Sequence, residues 1–134
     1  MKILIVEDDK AGRILMERYL RGYGSCSSVE DGKEALEMFL HALDAGEPYH
    51  LVILDIMLPS MDGQEILRNI REEEKKRGIR PAEFLKVIMT TALSDPKNVV
   101  RAFNEGSADS YLVKPVEKET LDEELRKLGF YPDE

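Results

Sequence analysis

The chain is poor in several features that would otherwise point to a compartment or a chemistry. It has one cysteine, Cys26, so no intrachain disulfide can form, in keeping with a reducing compartment; Cys26 reads as a small packed residue. Two histidines, His41 and His50, have no Cys or His partner at metal-ligand spacing. Both therefore read as ordinary structural or surface residues. The N-terminal apolar run, Ile3 to Val6, is far too short for a signal-peptide core or a membrane span, so a soluble cytoplasmic protein with no membrane contact is expected. Basic residues are also scarce: 19 Lys and Arg stand against 27 Asp and Glu, a formal charge of −8. A face able to neutralise nucleic-acid phosphates is therefore not expected.

What the chain does have is length enough for one core and a regular alternation of apolar segments. At 134 residues it is expected to form a single domain that buries around two-thirds of its unfolded surface. The run Leu51 to Leu54 is too short for a helix and is bounded by Asp, Pro and Gly. It suits a strand buried on both faces in the middle of a parallel sheet. Lys2 to Val6 has the same design, and further strands are expected at Ser25 to Val29, serine-rich and hence at an edge, at Phe84 to Met89 and at Ser110 to Val113.

Helices fill the intervals. Ile14, Leu15, Tyr19 and Leu20 share a face at helical spacing from Lys10 to Gly22, with Gly22 and Gly24 marking the end. Asp31 and Glu34 start a second helix whose stripe is Ala35, Leu36, Phe39, Leu40 and Leu43. A third runs from about Gly63 to Arg77 with Ile66, Leu67 and Ile70 inward; its charged end, Arg71 to Arg77, reads as a solvated tip. Gly78 to Glu83 is a long joint and the expected mobile region. Val99, Val100 and Phe103 mark a fourth helix starting near Ser94 or Asp95, and Leu121, Leu125 and Leu128 a final one. A (βα)5 order with right-handed crossovers puts helices on both faces of the sheet.

The strands leave the core at residues that carry chemistry. Asp55 is the first charged residue after Leu51 to Leu54, and Glu7, Asp8 and Asp9 follow Val6. In open α/β sheets this carboxyl edge is where ligands bind. Carboxylates within ~4 Å repel one another by a few kcal/mol per pair even at an effective dielectric of ~20. A divalent cation removes that cost, and hard Mg²⁺, which takes oxygen ligands and keeps several waters, suits such a site. Thr91 and Lys114 are expected at the ends of strands four and five, converging with Glu7, Asp8 and Asp55. Asp55 alone would be an unremarkable turn residue.

Four motifs in order, Val6-Glu7-Asp8, Asp55-Ile56-Met57-Leu58-Pro59-Ser60-Met61-Asp62-Gly63, Met89-Thr90-Thr91-Ala92 and Tyr111-Leu112-Val113-Lys114-Pro115, resemble the receiver domain of two-component response regulators. Since the sequence stops after the expected fifth helix, it resembles the stand-alone, chemotaxis-type members. The resemblance implies a doubly wound five-stranded parallel sheet of flavodoxin-like order 2-1-3-4-5, the order of the chemotaxis receiver. It also implies one receiver domain over residues 1–134, with a core to about 128 and a short tail from Gly129 to Glu134.

Carried over by motif, the resemblance implies that Asp55 accepts a phosphoryl group from a kinase phosphohistidine. Asp8, Asp55 and the main-chain carbonyl of Met57 would bind Mg²⁺, for which Mn²⁺ can substitute, while Glu7 acts through water. Thr91 and Lys114 would contact phosphoryl oxygens. Thr91 and Tyr111 would form the switch that alters the surface of the fourth helix, strand five and the final helix. Expected partners are a sensor histidine kinase or phosphotransfer protein and an unnamed output protein, with the chain a monomer or a weak phosphorylation-dependent dimer. Such a protein is a signalling receiver and not a turnover enzyme. Its acceptor must stay reachable from solvent.

Departures from the pattern are local. Met57 and Leu93 occupy positions that tune hydrolysis in receivers and often carry polar side chains, so slow loss of phosphate is expected. Gly106-Ser107-Ala108-Asp109 places the customary glycine one residue early. Asp9 follows the acidic pair and reads as surface. Lys114-Pro115 is a cis site in the family. A haloacid-dehalogenase-type phosphatase would need a second Asp where Met57 stands, and a flavodoxin-like cofactor binder a hydroxyl- and glycine-rich loop where Glu7-Asp8-Asp9 stands. A receiver that only docks, without phosphorylation, is the remaining alternative.

Overall fold

A computed structural model describes residues 1–59, 61–92 and 108–133. Strands β1 (Lys2–Val6), β2 (Ser25–Val29), β3 (Leu51–Asp55), β4 (Lys86–Thr91) and β5 (Ser110–Val113) form one sheet. All pairings are parallel, in the order β2-β1-β3-β4-β5. The helices among the described residues are α1 (Lys10–Leu20), α2 (Gly32–Asp44), α3 (Gly63–Lys76) and a C-terminal helix (Lys118–Lys127). The helix expected near Ser94, Leu93 and the Gly106-Ser107 pair lie outside the described residues.

Alternate strand residues face opposite sides of the sheet, and both sides are covered. Leu4, Val6, Val52, Leu54, Val87 and Met89 pack with Phe39 of α2 and with Ile66, Leu67 and Ile70 of α3. Ile3, Ile5, Leu51, Ile53 and Ile88 pack with Met16 and Leu20 of α1 and with Leu121 and Leu125 of the C-terminal helix. This is why β1 and β3 read as continuous apolar runs: neither face meets water. β2, at the edge, can be serine-rich, and Ser28 Oγ donates to Glu17 Oε1 at 2.5 Å.

Several expectations are corrected in detail. α1 ends at Leu20 and not Gly22; its inward stripe is Met16 and Leu20, while Ile14 and Leu15 are 43% and 38% exposed. Residues 16 and 20 are one helical turn apart and point at the sheet, leaving 14 and 15 on its flank. β4 begins at Lys86, because Pro81–Glu83 forms a 3₁₀ turn closed by Phe84 N donating to Pro81 O. That turn lies within the joint expected to be irregular.

The charged end of α3 is not wholly solvated. Glu74 is 2% exposed, and its carboxylate accepts from Leu85 N at 2.6 Å and from Arg71 Nη1 at 2.8 Å. Arg71 also reaches Leu85 O and Asp109 Oδ2, tying α3 to the starts of β4 and β5. A buried carboxylate is tolerable only with such partners.

The register positions the site. Val6 pairs with Leu54, Asp55 with Thr90, and Thr91 with Val113, so Glu7, Asp55, Thr91 and Lys114 all emerge at one carboxyl edge.

Candidate functional site

Each functional side chain is held by its own strand end. Asp55 closes β3, with Ile56 N donating to Thr90 O at 3.0 Å. Glu7 follows β1 with its N–H donating to Val29 O, and Lys114 follows β5 with its N–H donating to Thr91 O at 2.8 Å. After Asp55 the chain turns tightly into α3: Gly63 N donates to Ile56 O at 2.9 Å, and Asp62 caps the helix by accepting from Glu65 N at 2.8 Å. A Cβ on Gly63 would meet the Asp55 carbonyl and lie 2.9 Å from Ile56 Cα. Only glycine permits that approach.

The side chains form one compact cluster. Lys114 Nζ donates to Asp55 Oδ2 at 2.7 Å and to Glu7 Oε1 at 2.6 Å. Asp55 Oδ1 accepts from Met57 N at 3.1 Å. Carboxylate oxygens of Glu7, Asp8 and Asp55 lie within 4.8 Å of one another. The peptide between Lys114 and Pro115 is cis.

Burial and like charge determine the electrostatics. Burial, with the bond to Asp55, pushes the Glu7 carboxyl up to about 7, against the pull of Lys114. Burial alone would lower the Lys114 ammonium, but its bonds to Asp55 and Glu7 outweigh this and raise it. Glu7 Oε2 is buried without a hydrogen-bond partner. Three hard oxygen donors this close, one of them carrying an orphaned buried oxygen, fit a small hard cation such as Mg²⁺.

The remaining predicted residues take distinct places. Thr91 is 1% exposed, and its Oγ1 donates to Ala92 O at 3.3 Å. Tyr111, on β5, is 37% exposed, and the Met57 side chain projects outward. Asp8 is exposed, but Asp55 is only 3% exposed. The acceptor therefore does not stand open to solvent as expected: its carboxylate is buried and paired with Lys114, whose side chain is one-third exposed.

Two residues of the site were not anticipated. Asp9, read as surface, is exposed yet caps α1 by accepting from Gly12 N at 2.9 Å; an Asp just before a helical run was the available signal. Arg13 donates from Nη1 to Glu7 O at 2.9 Å and Asp8 O at 3.0 Å. No spacing rule marks an arginine inside an amphipathic helix for that task.

Comparison with known proteins decides the family. The family model described as "Response regulator receiver domain" matches residues 3–126. The chain belongs to the receiver domain family. It is similar to chemotaxis protein CheY-3 of Vibrio cholerae, at 34% identity over 130 residues covering 96% of this chain and 91% of that protein. It is also similar to regulatory protein VanRB of Enterococcus faecalis, at 36% identity over 122 residues covering 90% of this chain but 49% of the relative. It spans 47% of the probable transcriptional regulator ycf27 of Porphyridium aerugineum and 7% of hybrid signal transduction histidine kinase L of Dictyostelium discoideum.

Among solved structures, the receiver domain of Saccharomyces cerevisiae Ssk1, crystallised with the phosphotransfer protein Ypd1, superposes with a TM-score of 0.82 at 25% identity, covering 96% of this chain and 88% of that one. Vibrio cholerae CheY4 gives 0.73 at 27% identity, covering 94% and 96%. Receivers are signalling switches of two-component systems, generally phosphorylated on aspartate by histidine kinases. No described helix of this receiver is long and apolar enough to cross a membrane.

Proposed function

We propose that this receiver is a phosphorylation-activated switch in which Asp55 takes a phosphoryl group from the phosphohistidine of a sensor kinase or phosphotransfer protein. The observation that carries the reading is the bridging of Asp55 and Glu7 by one ammonium, Lys114, beside Asp8. Asp8, Asp55 and the Met57 carbonyl would hold Mg²⁺ or Mn²⁺ directly, with Glu7 acting through water. Bound there, the ion supplies positive charge that screens phosphoryl oxygens from the carboxylates.

In the transfer, an Asp55 carboxylate oxygen forms a bond to phosphorus as the N–P bond of the phosphohistidine breaks, and the imidazole nitrogen keeps the electron pair. Such a transition state needs alignment and charge neutralisation more than covalent help. Lys114 exchanges its contact with Asp55 Oδ2 for a phosphoryl oxygen, and Thr91 turns its hydroxyl from Ala92 O to another. Met57 N, already donating to Asp55 Oδ1, orients the acceptor.

The product adds about −1.5 to −2 charge at Asp55. Thr91 moves toward it, Tyr111 turns inward, and the surface around β5 and the C-terminal helix is altered for an output partner. Reversing a 1:99 equilibrium requires about 5.5 kcal/mol of preference for the active state, within reach of one new ion pair and several charge-assisted hydrogen bonds. The setting is a single cytoplasmic receiver domain, monomeric or weakly dimeric when phosphorylated.

The test is incubation with acetyl phosphate and Mg²⁺ followed by intact mass. One added phosphoryl group is expected, absent in Asp55→Ala and in chelator; labelling that survives Asp55→Ala would refute the assignment. Tyr111 should become less exposed, by its NMR ring signals, with a beryllofluoride phosphate mimic. Unchanged signals would rule out the switch.

A further inference from the structure

Arg13 stands on α1 behind the carboxylates and touches their backbone. Its Nη1 donates to two successive carbonyls, Glu7 O at 2.9 Å and Asp8 O at 3.0 Å. The side chain is 18% exposed, and the guanidinium meets Glu30 Oε2 at 3.5 Å. One nitrogen bonded to carbonyls i and i+1 fixes the peptide plane between them, and with it the directions in which both side chains leave the main chain. The same dipeptide is held from other sides by Glu7 N on Val29 O and by the first turn of α1, where a Cβ on Gly12 would come within 2.9 Å of Glu7 Oε1.

We infer that Arg13 is a positioning residue for the divalent cation, holding the Glu7-Asp8 peptide so that both carboxylates face Asp55. The inference rests on the metal reading above. It has a sign that simple electrostatics does not share. A cationic guanidinium beside an acidic pair repels a divalent ion, so on charge alone its removal tightens metal binding. Positioning gives the opposite result. Ordering residues behind metal ligands typically contribute 10–100-fold in affinity, because without them the ligands must be ordered at the moment of binding.

The test is titration of the full chain with Mg²⁺ alone by calorimetry, with urea stability in chelator measured in parallel. Arg13→Ala should weaken Mg²⁺ binding by about tenfold or more, and Arg13→Lys should fall between it and the native protein, since an ammonium reaches the same carbonyls less completely. Unchanged or tighter binding in Arg13→Ala overturns the inference, including when stability falls, which marks Arg13 as a fold contact only. If Arg13→Ala does not fold, Arg13→Lys decides: weaker binding supports positioning, and native affinity overturns it. A native protein that takes up no Mg²⁺ at millimolar concentration would instead overturn the metal reading itself, and this inference with it.

Discussion

Lys114 and Asp55 stand 59 positions apart in the chain and meet through an Nζ to Oδ2 hydrogen bond of 2.7 Å. The same ammonium holds Glu7 Oε1 at 2.6 Å, so without a metal one cation compensates two carboxylates. Removing either end should have unequal effects. Lys114→Met leaves Asp55 and Glu7 facing each other and should lower urea stability in chelator by about 2 kcal/mol, less than the roughly 3–5 kcal/mol of stranding a fully buried charge, because the Lys114 side chain is one-third exposed. Asp55→Asn leaves Lys114 paired with Glu7 and relieves repulsion, so its change should stay within about 1 kcal/mol. The reverse order would show that Lys114 does not hold the cluster together.

Met57 follows the acceptor by two residues and presents its side chain to solvent, 62% exposed. A thioether orients an attacking water poorly. Met57→Asn should therefore speed loss of phosphate from Asp55 by about tenfold, equivalent to ~1.4 kcal/mol off the barrier. A time course of intact mass after removal of the phosphodonor reads this directly, and an unchanged decay would place the control of lifetime elsewhere.

The sheet and its acidic edge were legible because their physics is local. Doubly buried strands leave unbroken apolar runs, and the first polar residue beyond each run, Glu7 or Asp55, reports where the chain exits the core. Interactions that join distant segments left no such mark. The buried Glu74 looked like one charge among many at a helix tip, since its partner Leu85, and the Asp109 that its neighbour Arg71 also holds, lie outside the helix. The bonds of Arg13 to main-chain carbonyls depend on backbone geometry and not on a residue type at a set spacing. Of the α1 stripe Ile14, Leu15, Tyr19 and Leu20, Leu20 is buried and Tyr19 packs against the core, whereas Ile14 and Leu15 are exposed and Met16 is buried in their place; all are apolar enough that spacing alone does not separate them.

Glu74 offers a direct measure of that hidden network. Glu74→Gln keeps the volume but has one acceptor oxygen for two donors, Leu85 N and Arg71 Nη1. Its amide group then faces a donor. A loss of about 2–4 kcal/mol in urea unfolding is expected, the range for breaking a buried charge pair and leaving a group unsatisfied. A loss below about 0.5 kcal/mol, the usual size of a surface substitution, would return this region to a solvated tip.

Tyr23 supplies a pH signature away from the site. Its hydroxyl donates to Asp122 Oδ1 at 2.7 Å, and burial together with that carboxylate pushes the phenol up to about 12. A raised folded pKa favours the protonated form. The contribution is thus whole below the unfolded value of about 10 and is lost as pH rises toward 12. At Asp122, burial favours the neutral acid, but Lys118 and Tyr23 outweigh it and lower the carboxyl. That contribution is present above the unfolded value and lost as pH falls through the folded one. Urea midpoints across this alkaline range should decline less in Tyr23→Phe than in the native chain; equal slopes would remove Tyr23 as the cause.

The central claim is that one carboxyl group, Asp55, becomes a mixed anhydride with phosphate. Sodium borohydride reduces an aspartyl phosphate to homoserine, so treatment after reaction with acetyl phosphate and Mg²⁺ marks the modified residue permanently. Peptide mass spectrometry should find homoserine at position 55, at no other aspartate, and not when Mg²⁺ is chelated. Homoserine at Asp8 or Asp9, or none at all in protein whose mass shows a phosphoryl group, would contradict the account.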